Sequence, residues 1–183
     1  MDKTILVFDI RNFTSISHKE DNETLAKYMA KILEKIITNC MSYNGELINF
    51  TGDGLIYSFD CTREAILVSS EIRNIIKKFN KEAHSNKQFI IQFGIGLHKG
   101  DYASENLFIN NKNYSITIGD GINLASKIES YTRKYHVDIL VDEEIVKEVK
   151  NKFNFLTMPP IKINGIKKEL NVYWLAPINK EKK

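Results

Sequence analysis

The sequence predicts an α+β fold with a ferredoxin-like βαββαβ core followed by an αβ extension, and three observations support this prediction. The run TILVFDI is apolar almost throughout, which is typical of a strand buried on both faces. Two later segments carry apolar residues at spacings of three and four, the pattern of amphipathic helices. The segment QFIIQFGIGLHKG alternates between apolar and other residues, which indicates a strand with one apolar face. We expect helices on one side of an antiparallel sheet.

The predicted elements follow one another in the order that this core requires. The first helix pattern begins at Asn22 and should end near Asn44, and the second covers residues 62–82. Between them, NGELINFTGDGLIYSF reads as two short strands joined by a tight turn. After the alternating strand, a polar, Asn-rich segment over residues 104–115 precedes a third helix in GDGINLASKIES. A strand at 138–141, a helix at 143–149 and strands near Ile161 and Val172 complete the chain.

Length and composition are those of one globular domain with a sizeable core: 183 residues, 43% hydrophobic and 27% charged. The net charge of +3 is small and lies partly in residues 178–183, which we expect to be a flexible tail, so no nucleic-acid partner is predicted. No apolar run of about 20 residues predicts a membrane span. Cys40 and Cys61 lack metal-site spacing and are expected to be buried thiols. These features favour a cytoplasmic location.

Two carboxylates mark a candidate site. Asp9 closes the first strand and Asp53 lies at the tip of the hairpin turn. In a βαββ sheet the first strand commonly lies beside the hairpin, so both carboxylates should meet at one sheet edge, where Mg²⁺ or Mn²⁺ takes one or two carboxylates plus substrate phosphates. An Asp in a Gly-Asp-Gly turn also occurs for turn chemistry alone. Asp9 is the stronger indication, because a carboxylate ending an apolar strand needs a partner or a cation.

Five segments resemble, in order along the chain, the motifs of the class III nucleotidyl (adenylate/guanylate) cyclase catalytic domain. FDIRNFTSIS is similar to the FxDIxGFTxLS strand and turn, and GELINFTGDGLIYSF to the GGxxxKxxGDxxxAxF hairpin. FGIGLHKGD resembles the GIGxHxG strand, IGDGINLASKIES the GxxVNxAxRxE helix, and INGIKKELNVYWL the closing KGxxxPxxVYxL strand. The resemblance implies the class III cyclase fold over a single domain, residues 1–183, that converts a nucleoside triphosphate to a 3′,5′-cyclic nucleotide and pyrophosphate.

The resemblance also assigns roles to residues of this sequence. It implies that Asp9 and Asp53, with the carbonyl of Ile10, bind two divalent cations, Mg²⁺ or Mn²⁺. It implies that Asn123 and Lys127 orient the ribose and stabilise the transition-state phosphate of a nucleotide held mainly by the partner subunit, so a head-to-tail homodimer with two interfacial sites is expected. The expected phosphate contacts are the backbone amides of Arg11, Asn12, Phe13 and Thr14. Lys167 or Lys168 could substitute for the phosphate-binding lysine that the family often has in its closing motif.

Three positions depart from the family pattern. Lys127 replaces the usual Arg, which exchanges a planar fork for a point charge. Asn49 and Ile116 stand where the family reads the purine, and neither fits the standard adenine or guanine pair. Asn49 can donate and accept hydrogen bonds, whereas Ile116 adds bulk and, with Phe50 nearby, should shrink the pocket. This favours a pyrimidine substrate, giving cyclic UMP or cyclic CMP, and similarity to the small stand-alone cyclases of bacterial phage defence.

Two alternatives stay open at this point. One is an adenylate cyclase that tolerates Asn49 and Ile116 and makes cyclic AMP. The other is a non-catalytic, cyclase-like nucleotide-binding dimer, which the retention of Asp9, Asp53 and Asn123 disfavours. A diguanylate-type cyclase is less consistent with the sequence, because the turn Thr51-Gly52-Asp53-Gly54 lacks a second acidic residue.

Overall fold

The computed structural model describes residues 2–18, 21–85, 89–149, 152–163 and 169–177. The predicted tail at 178–183 lies outside these residues. The elements in chain order are β1 Lys3–Ile10, α1 Phe13–Ser17, α2 Asn22–Ser42, β2 Glu46–Phe50, β3 Gly54–Phe59, α3 Thr62–Ser85, β4 Phe93–Gly100, β5 Ala103–Ile109, β6 Lys112–Ile118, α4 Asp120–Lys134, β7 Ile139–Asp142, α5 Glu143–Val149, β8 Phe155–Thr157 and β9 Val172–Leu175. The α+β class and the βαββαβ order are confirmed.

Seven strands form the main sheet in the order β2-β3-β1-β4-β7-β9-β8. The first strand lies inside it and pairs antiparallel with β3 on one side and with β4 on the other. The β4–β7 pair is parallel, so the sheet is mixed and the prediction of an antiparallel sheet is wrong in this part. The chain reaches β7 through α4, and such a helical crossover is the usual connection between parallel strands.

Helices cover both faces of the sheet. Leu6, Phe8 and Ile10 belong to the core under α2 and α3, whereas Ile5 and Val7 pack against Ala125 of α4. The prediction of helices on one side is therefore wrong. The physical reason is in β1 itself, because a strand that is apolar at successive positions requires cover on both faces.

The close contact between α4 and the sheet depends on a glycine. A Cβ atom added to Gly96 of β4 would lie 2.3 Å from the carbonyl oxygen of Ala125 and 2.3 Å from the amide nitrogen of Glu129. The backbone of α4 therefore lies directly on the backbone of β4. Glycine inside a strand commonly marks such a close approach of another backbone.

The polar, Asn-rich segment forms a hairpin, which was not predicted. Strands β5 and β6 form a separate two-stranded sheet, and Asn110 and Asn111 turn the chain with φ values of 49° and 61°. An Asn pair at positive φ is a hairpin signal that the Asn-rich composition obscured. The hairpin exposes large apolar side chains, with exposed fractions of 39% at Leu107, 79% at Phe108 and 72% at Ile118.

Smaller differences concern element ends and one thiol. The alternating pattern begins at Phe89 but the ladder begins at Phe93, and Ile161 forms only an isolated bridge to Leu170. The short strand β8 was not predicted. Cys40 is buried, and burial raises the pKa of its thiol to about 12, whereas Cys61 is exposed, contrary to expectation. Among the described helices, none is long and apolar enough to cross a bilayer.

Candidate active site

The hairpin β2–β3 places its turn against the end of β1. Asp9 lies opposite Gly54 in the antiparallel register, and the amide of Ile10 donates to the carbonyl oxygen of Asp53 at 3.3 Å. The turn is closed by the amide of Thr51, which donates to the carbonyl of Gly54 at 3.0 Å. Gly52 has a φ of 83°, a conformation that favours glycine. The structure thus brings Asp9 and Asp53 together at one sheet edge.

The two carboxylates repel each other at this edge, and the repulsion affects the pKa of Asp9. Burial raises the pKa of Asp9, and the neighbouring charge of Asp53 raises it further. Arg133 and Arg11 act in the opposite direction and lower it. Two like charges held close together favour either a proton or a cation between them.

The donor atoms at this edge fit a hard divalent cation. Carboxylate and carbonyl oxygens are the ligands that Mg²⁺ and Mn²⁺ prefer, and Asp9, Asp53 and the carbonyl of Ile10 supply that type of atom. Within the described ranges, no cluster of three or more His, Cys, Asp or Glu side chains is arranged to hold a metal. Such a cation would therefore complete its shell with water and substrate phosphate oxygens.

A cavity of about 590 Å³ opens beside the carboxylates. Its wall is formed by Asp9, Ile10, Asn12, Phe13, Thr14, Ser15, His18, Asp53 and Arg133. Asn12 adopts the left-handed conformation with a φ of 58° and starts α1, whose first amides have no acceptor within the helix. The cavity therefore lies between the two carboxylates and the N-terminal residues of α1.

Arg11 differs from the other predicted phosphate contacts. Its amide donates to the carbonyl of Gln92 at 2.8 Å, and its guanidinium donates through Nη2 to the carbonyl of Val137. Its Nε is buried without a partner. Asn12, Phe13 and Thr14 line the cavity. The amide of Arg11 does not take part, because it already donates to Gln92, directly before β4.

Asn123 and Lys127 do not lie beside Asp9 of the same chain. On α4, Lys127 and Glu129 are separated by roughly 200° around the helix axis. Glu129 lies over β4 near Asp9, so Asn123 and Lys127 project away from the sheet. Asn123 is exposed, and the Nζ of Lys127 lies 5.5 Å from the centre of the Tyr131 ring. Neither residue lines the cavity beside Asp9.

The predicted base-reading residues lie on two different sheets. Asn49 and Phe50 end the edge strand β2, and Ile116 lies on the separate β5–β6 hairpin. The Oδ1 of Asn49 accepts from the amide of Phe50 at 2.8 Å. Phe50 and Ile116 have exposed fractions of 50% and 46%. Lys167, the remaining predicted phosphate contact, lies outside the described residues.

The comparison with protein families agrees with this arrangement. Residues 2–177 match the profile of the adenylate and guanylate cyclase catalytic domain. The chain belongs to this family.

The cyclase domain also has relatives of known name. It is 26% identical over 182 residues to an adenylate cyclase of Anabaena cylindrica, a match that covers 93% of this chain and 36% of the relative. It is 21% identical over 179 residues to adenylate cyclase 1 of Rhizobium meliloti (strain 1021), covering 93% of this chain and 27% of the relative. The chain thus spans about a third of the length of these relatives.

Solved structures show the same fold. The adenylyl cyclase CyaB from P. aeruginosa superposes with a TM-score of 0.83 at 20% identity, covering 100% of this chain and 98% of that one. The guanylate cyclase domain of RhGC from Catenaria anguillulae, solved in complex with GTP, gives a TM-score of 0.80 at 20% identity, covering 96% of each chain. At this level of identity the likeness concerns the fold of the cyclase domain.

Sequence reasoning missed two residues of the cyclase domain at this site, Glu129 and Arg133. A Cβ on Gly94 would lie 2.1 Å from Oε1 of Glu129, so glycine at that position lets the Glu129 side chain lie over β4. Burial raises the pKa of Glu129 to about 7, and the charge of Asp9 contributes in the same direction. The signal that was available is the spacing of four between Glu129 and Arg133, which places both on one side of α4.

Proposed function

We propose that this cyclase domain converts a nucleoside triphosphate to a 3′,5′-cyclic nucleotide and pyrophosphate at the interface of a homodimer. The observation that carries the proposal is the meeting of Asp9 and Asp53 beside a cavity of about 590 Å³ whose wall includes Asn12, Phe13 and Thr14 at the start of α1. Carboxylates for cations and amides for phosphates are the two requirements of phosphoryl transfer.

The chain's own groups account for binding and orientation. Asp9, Asp53 and the carbonyl of Ile10 would hold two divalent cations, Mg²⁺ or Mn²⁺. When bound, these cations would neutralise charge on the triphosphate and favour loss of the ribose 3′-hydroxyl proton. The amides of Asn12, Phe13 and Thr14 would donate to the β- and γ-phosphates. This arrangement would align the α-phosphorus for in-line attack, and pyrophosphate would leave toward α1.

The homodimer is proposed because one chain supplies half of the groups. Asn123 and Lys127 project away from the sheet, so they are available to a nucleotide held by a second copy. There, Asn123 would orient the ribose and Lys127 would stabilise negative charge at the α-phosphate. The exposed apolar side chains of the β5–β6 hairpin support an interface in this region, since such patches are unusual on a monomer.

For the base, we propose a pyrimidine, with cyclic UMP or cyclic CMP as product. Ile116 has no side-chain hydrogen-bonding atom, and Phe50 adds further bulk beside Asn49. A smaller base suits this set, with Asn49 reading its edge. We further propose that the product is a signal in anti-phage defence, which rests on the resemblance described above. We also propose that the protein works in the cytoplasm, which rests on its composition and cysteine usage.

The test of the reaction is a matrix of substrates and metals. Purified protein is incubated with Mn²⁺ or Mg²⁺ and each of ATP, GTP, CTP and UTP, and cyclic nucleotides are measured by mass spectrometry. The expected result is a cyclic pyrimidine nucleotide that Asp53→Asn abolishes. Turnover of ATP with CTP and UTP left intact would contradict the pyrimidine assignment.

A second candidate is an adenylate cyclase, and the names of the curated relatives favour it. In that case Asn49 and Ile116 would accommodate adenine, and cyclic AMP would be the product in the same assay. If none of the four nucleotides is converted while they still bind, the protein is a non-catalytic nucleotide-binding dimer. The defence role is tested separately by measuring cyclic nucleotides in cells before and after phage infection.

A further inference from the structure

Arg133 is a cationic side chain of the cavity wall that has no role in the site described so far. It lies in the last turn of α4 and lines the cavity together with Asp9, Asp53 and residues 12–15. It is exposed, and no described residue forms an ion pair or hydrogen bond with its guanidinium. Arg133 and Asp9 lie on the wall of the same cavity, so a positive and a negative side chain border the same space.

The strand beside Asp9 cannot supply a charge at this place. Asp9 lies opposite Gly94 of β4, and Gly94 has no side chain. The space over Gly94 is filled by Glu129 of α4, and Arg133 lies one helical turn further on, past Asp9. The side chains of α4, and not those of β4, therefore determine the charge on this wall.

The acidic groups of this site do not bind phosphate, whereas a cationic side chain can. Asp9 and Asp53 offset part of the charge of any bound divalent ions, and Glu129 adds a further acidic group. Arg11, the other arginine near Asp9, is directed to the carbonyl of Val137. A polyphosphate entering the cavity would therefore meet Arg133 as its one arginine along the described wall. A planar guanidinium can bind phosphate oxygens in a bidentate way.

We propose that Arg133 binds the β- and γ-phosphates of the nucleotide held by its own chain. This inference rests on the proposed function and deepens it, because it divides the cationic groups between the two subunits. Arg133 acts within the chain on the terminal phosphates, and Lys127 acts across the interface on the α-phosphate. Arg133 should therefore control binding of the triphosphate tail and retention of pyrophosphate.

The inference is tested with inorganic tripolyphosphate, which has neither ribose nor base. Its binding in the presence of Mn²⁺ is measured by calorimetry for the wild type, Arg133→Gln, Arg133→Lys and the control Arg63→Gln, an exposed arginine at the start of α3. Loss of a charge-assisted contact should weaken binding about 10-fold to 100-fold in Arg133→Gln. The affinity of Arg133→Lys for tripolyphosphate should lie between those of Arg133→Gln and the wild type. The affinity of Arg63→Gln should equal that of the wild type.

A second readout separates phosphate binding from an effect on the carboxylates. Mn²⁺ binding without tripolyphosphate should stay unchanged or tighten in Arg133→Gln, because a positive charge near Asp9 is removed. In the turnover assay, KM should rise more than kcat falls. Unchanged tripolyphosphate affinity in Arg133→Gln, or a loss of Mn²⁺ affinity as large as the loss of tripolyphosphate affinity, would overturn the inference.

The outcome is independent of whether the protein proves to be a cyclase. If tripolyphosphate binding depends on Arg133 but no cyclic nucleotide forms, the inference stands and the proposed reaction fails. If cyclic nucleotide forms while tripolyphosphate binds equally to wild type and Arg133→Gln, the reaction stands and the inference fails.

Discussion

At the scale of single residues, Asp9 is notable for its neighbours in the sheet. It lies between Gly54 on β3 and Gly94 on β4, so no side chain of an adjacent strand stands beside its carboxylate. The groups that do face it are charged: Asp53 raises its pKa, and Arg133 and Arg11 lower it. Asp9 and Asp53 therefore repel each other, and this repulsion is a cost of the proposed cation site.

That repulsion leads to a prediction for Asp53→Asn. We expect activity to fall at least about 100-fold, because a carboxylate ligand is lost. We expect stability of the metal-free protein to remain within about 1 kcal/mol of wild type or to rise, because a like charge beside Asp9 is removed. Product formation and the urea midpoint measure the two effects, with the exposed Asp60→Asn as control. A large drop in stability would mean that Asp53 has a structural role.

Base preference is a second prediction at this scale. The double variant Asn49→Lys, Ile116→Asp creates a donor and an acceptor of the kind that the family uses for adenine. We expect the ratio of kcat/KM for ATP over UTP to rise at least about tenfold, since hydrogen-bonding sites discriminate strongly between bases. The single variant Asn49→Lys is the control and should shift the ratio less. An unchanged ratio in the double variant would show that these positions do not contact the base.

At the scale of secondary-structure elements, Asp138 connects three of them at the start of β7. Its carboxylate accepts from Nη2 of Arg73 on α3 at 2.9 Å and from Nε1 of Trp174 on β9 at 2.9 Å. Burial by itself raises the pKa of Asp138, but the hydrogen bonds and charge of Arg73 and the bond from Trp174 outweigh it, so the pKa is lowered. The charged form is therefore the one that stabilises the fold.

This lowered pKa predicts a pH dependence of stability. The contribution of Asp138 is present above the pKa of the unfolded state, about 3.9, and is lost as pH falls through the lower folded pKa. At pH 7 we expect Asp138→Asn to lower the free energy of unfolding by about 1–3 kcal/mol. The difference in the free energy of unfolding between Asp138→Asn and the wild type should become smaller below about pH 4. Urea unfolding at both pH values measures it, and the exposed Asp101→Asn should show little effect at either pH. If this difference in the free energy of unfolding does not change with pH, the charge of Asp138 does not stabilise the fold.

Packing of α4 on β4 gives a further prediction. In Gly96→Ala the new methyl group would meet backbone atoms of Ala125 and Glu129, which cannot turn away as a side chain can. We expect a loss of about 1–3 kcal/mol in stability and a shift of α4 that moves Arg133 away from the cavity wall and Glu129 away from β4. Urea midpoints and product formation measure both effects. Ser126→Ala, which adds no atom to the same helix, is the control. Unchanged stability would mean that α4 is free to adjust.

At the scale of the whole molecule, the proposed dimer can be tested by mixing two inactive variants. Asp53→Asn removes a proposed cation ligand, and Asn123→Ala removes the proposed ribose contact on α4. In a mixed dimer one site carries both defects and the other carries none. We expect an equal mixture to recover about a quarter of wild-type activity after subunit exchange. No recovery, with dimers present by light scattering, would place all groups of a site on one chain.

Much of this architecture could be predicted from the sequence because its signals are local. The apolar run ending in Asp9, the turn around Asp53 and the spacing of four between Asn123 and Lys127 are each readable within a few residues. The cover of both sheet faces, the β5–β6 hairpin and the positions of Glu129 and Arg133 are set by contacts between distant segments. Gly94 illustrates the difference, because its role follows from the side chain of Glu129, 35 positions away.

The two residue pairs on α4 project from different sides of the helix, and this has a consequence for control in the cell. If Glu129 and Arg133 serve one chain while Asn123 and Lys127 serve another, an isolated chain has no complete site. Output would then rise with the square of the chain concentration when dimers are rare and linearly when they are abundant. The abundance of the protein would itself act as a threshold, silent at low expression and steep near the dissociation constant of the pair.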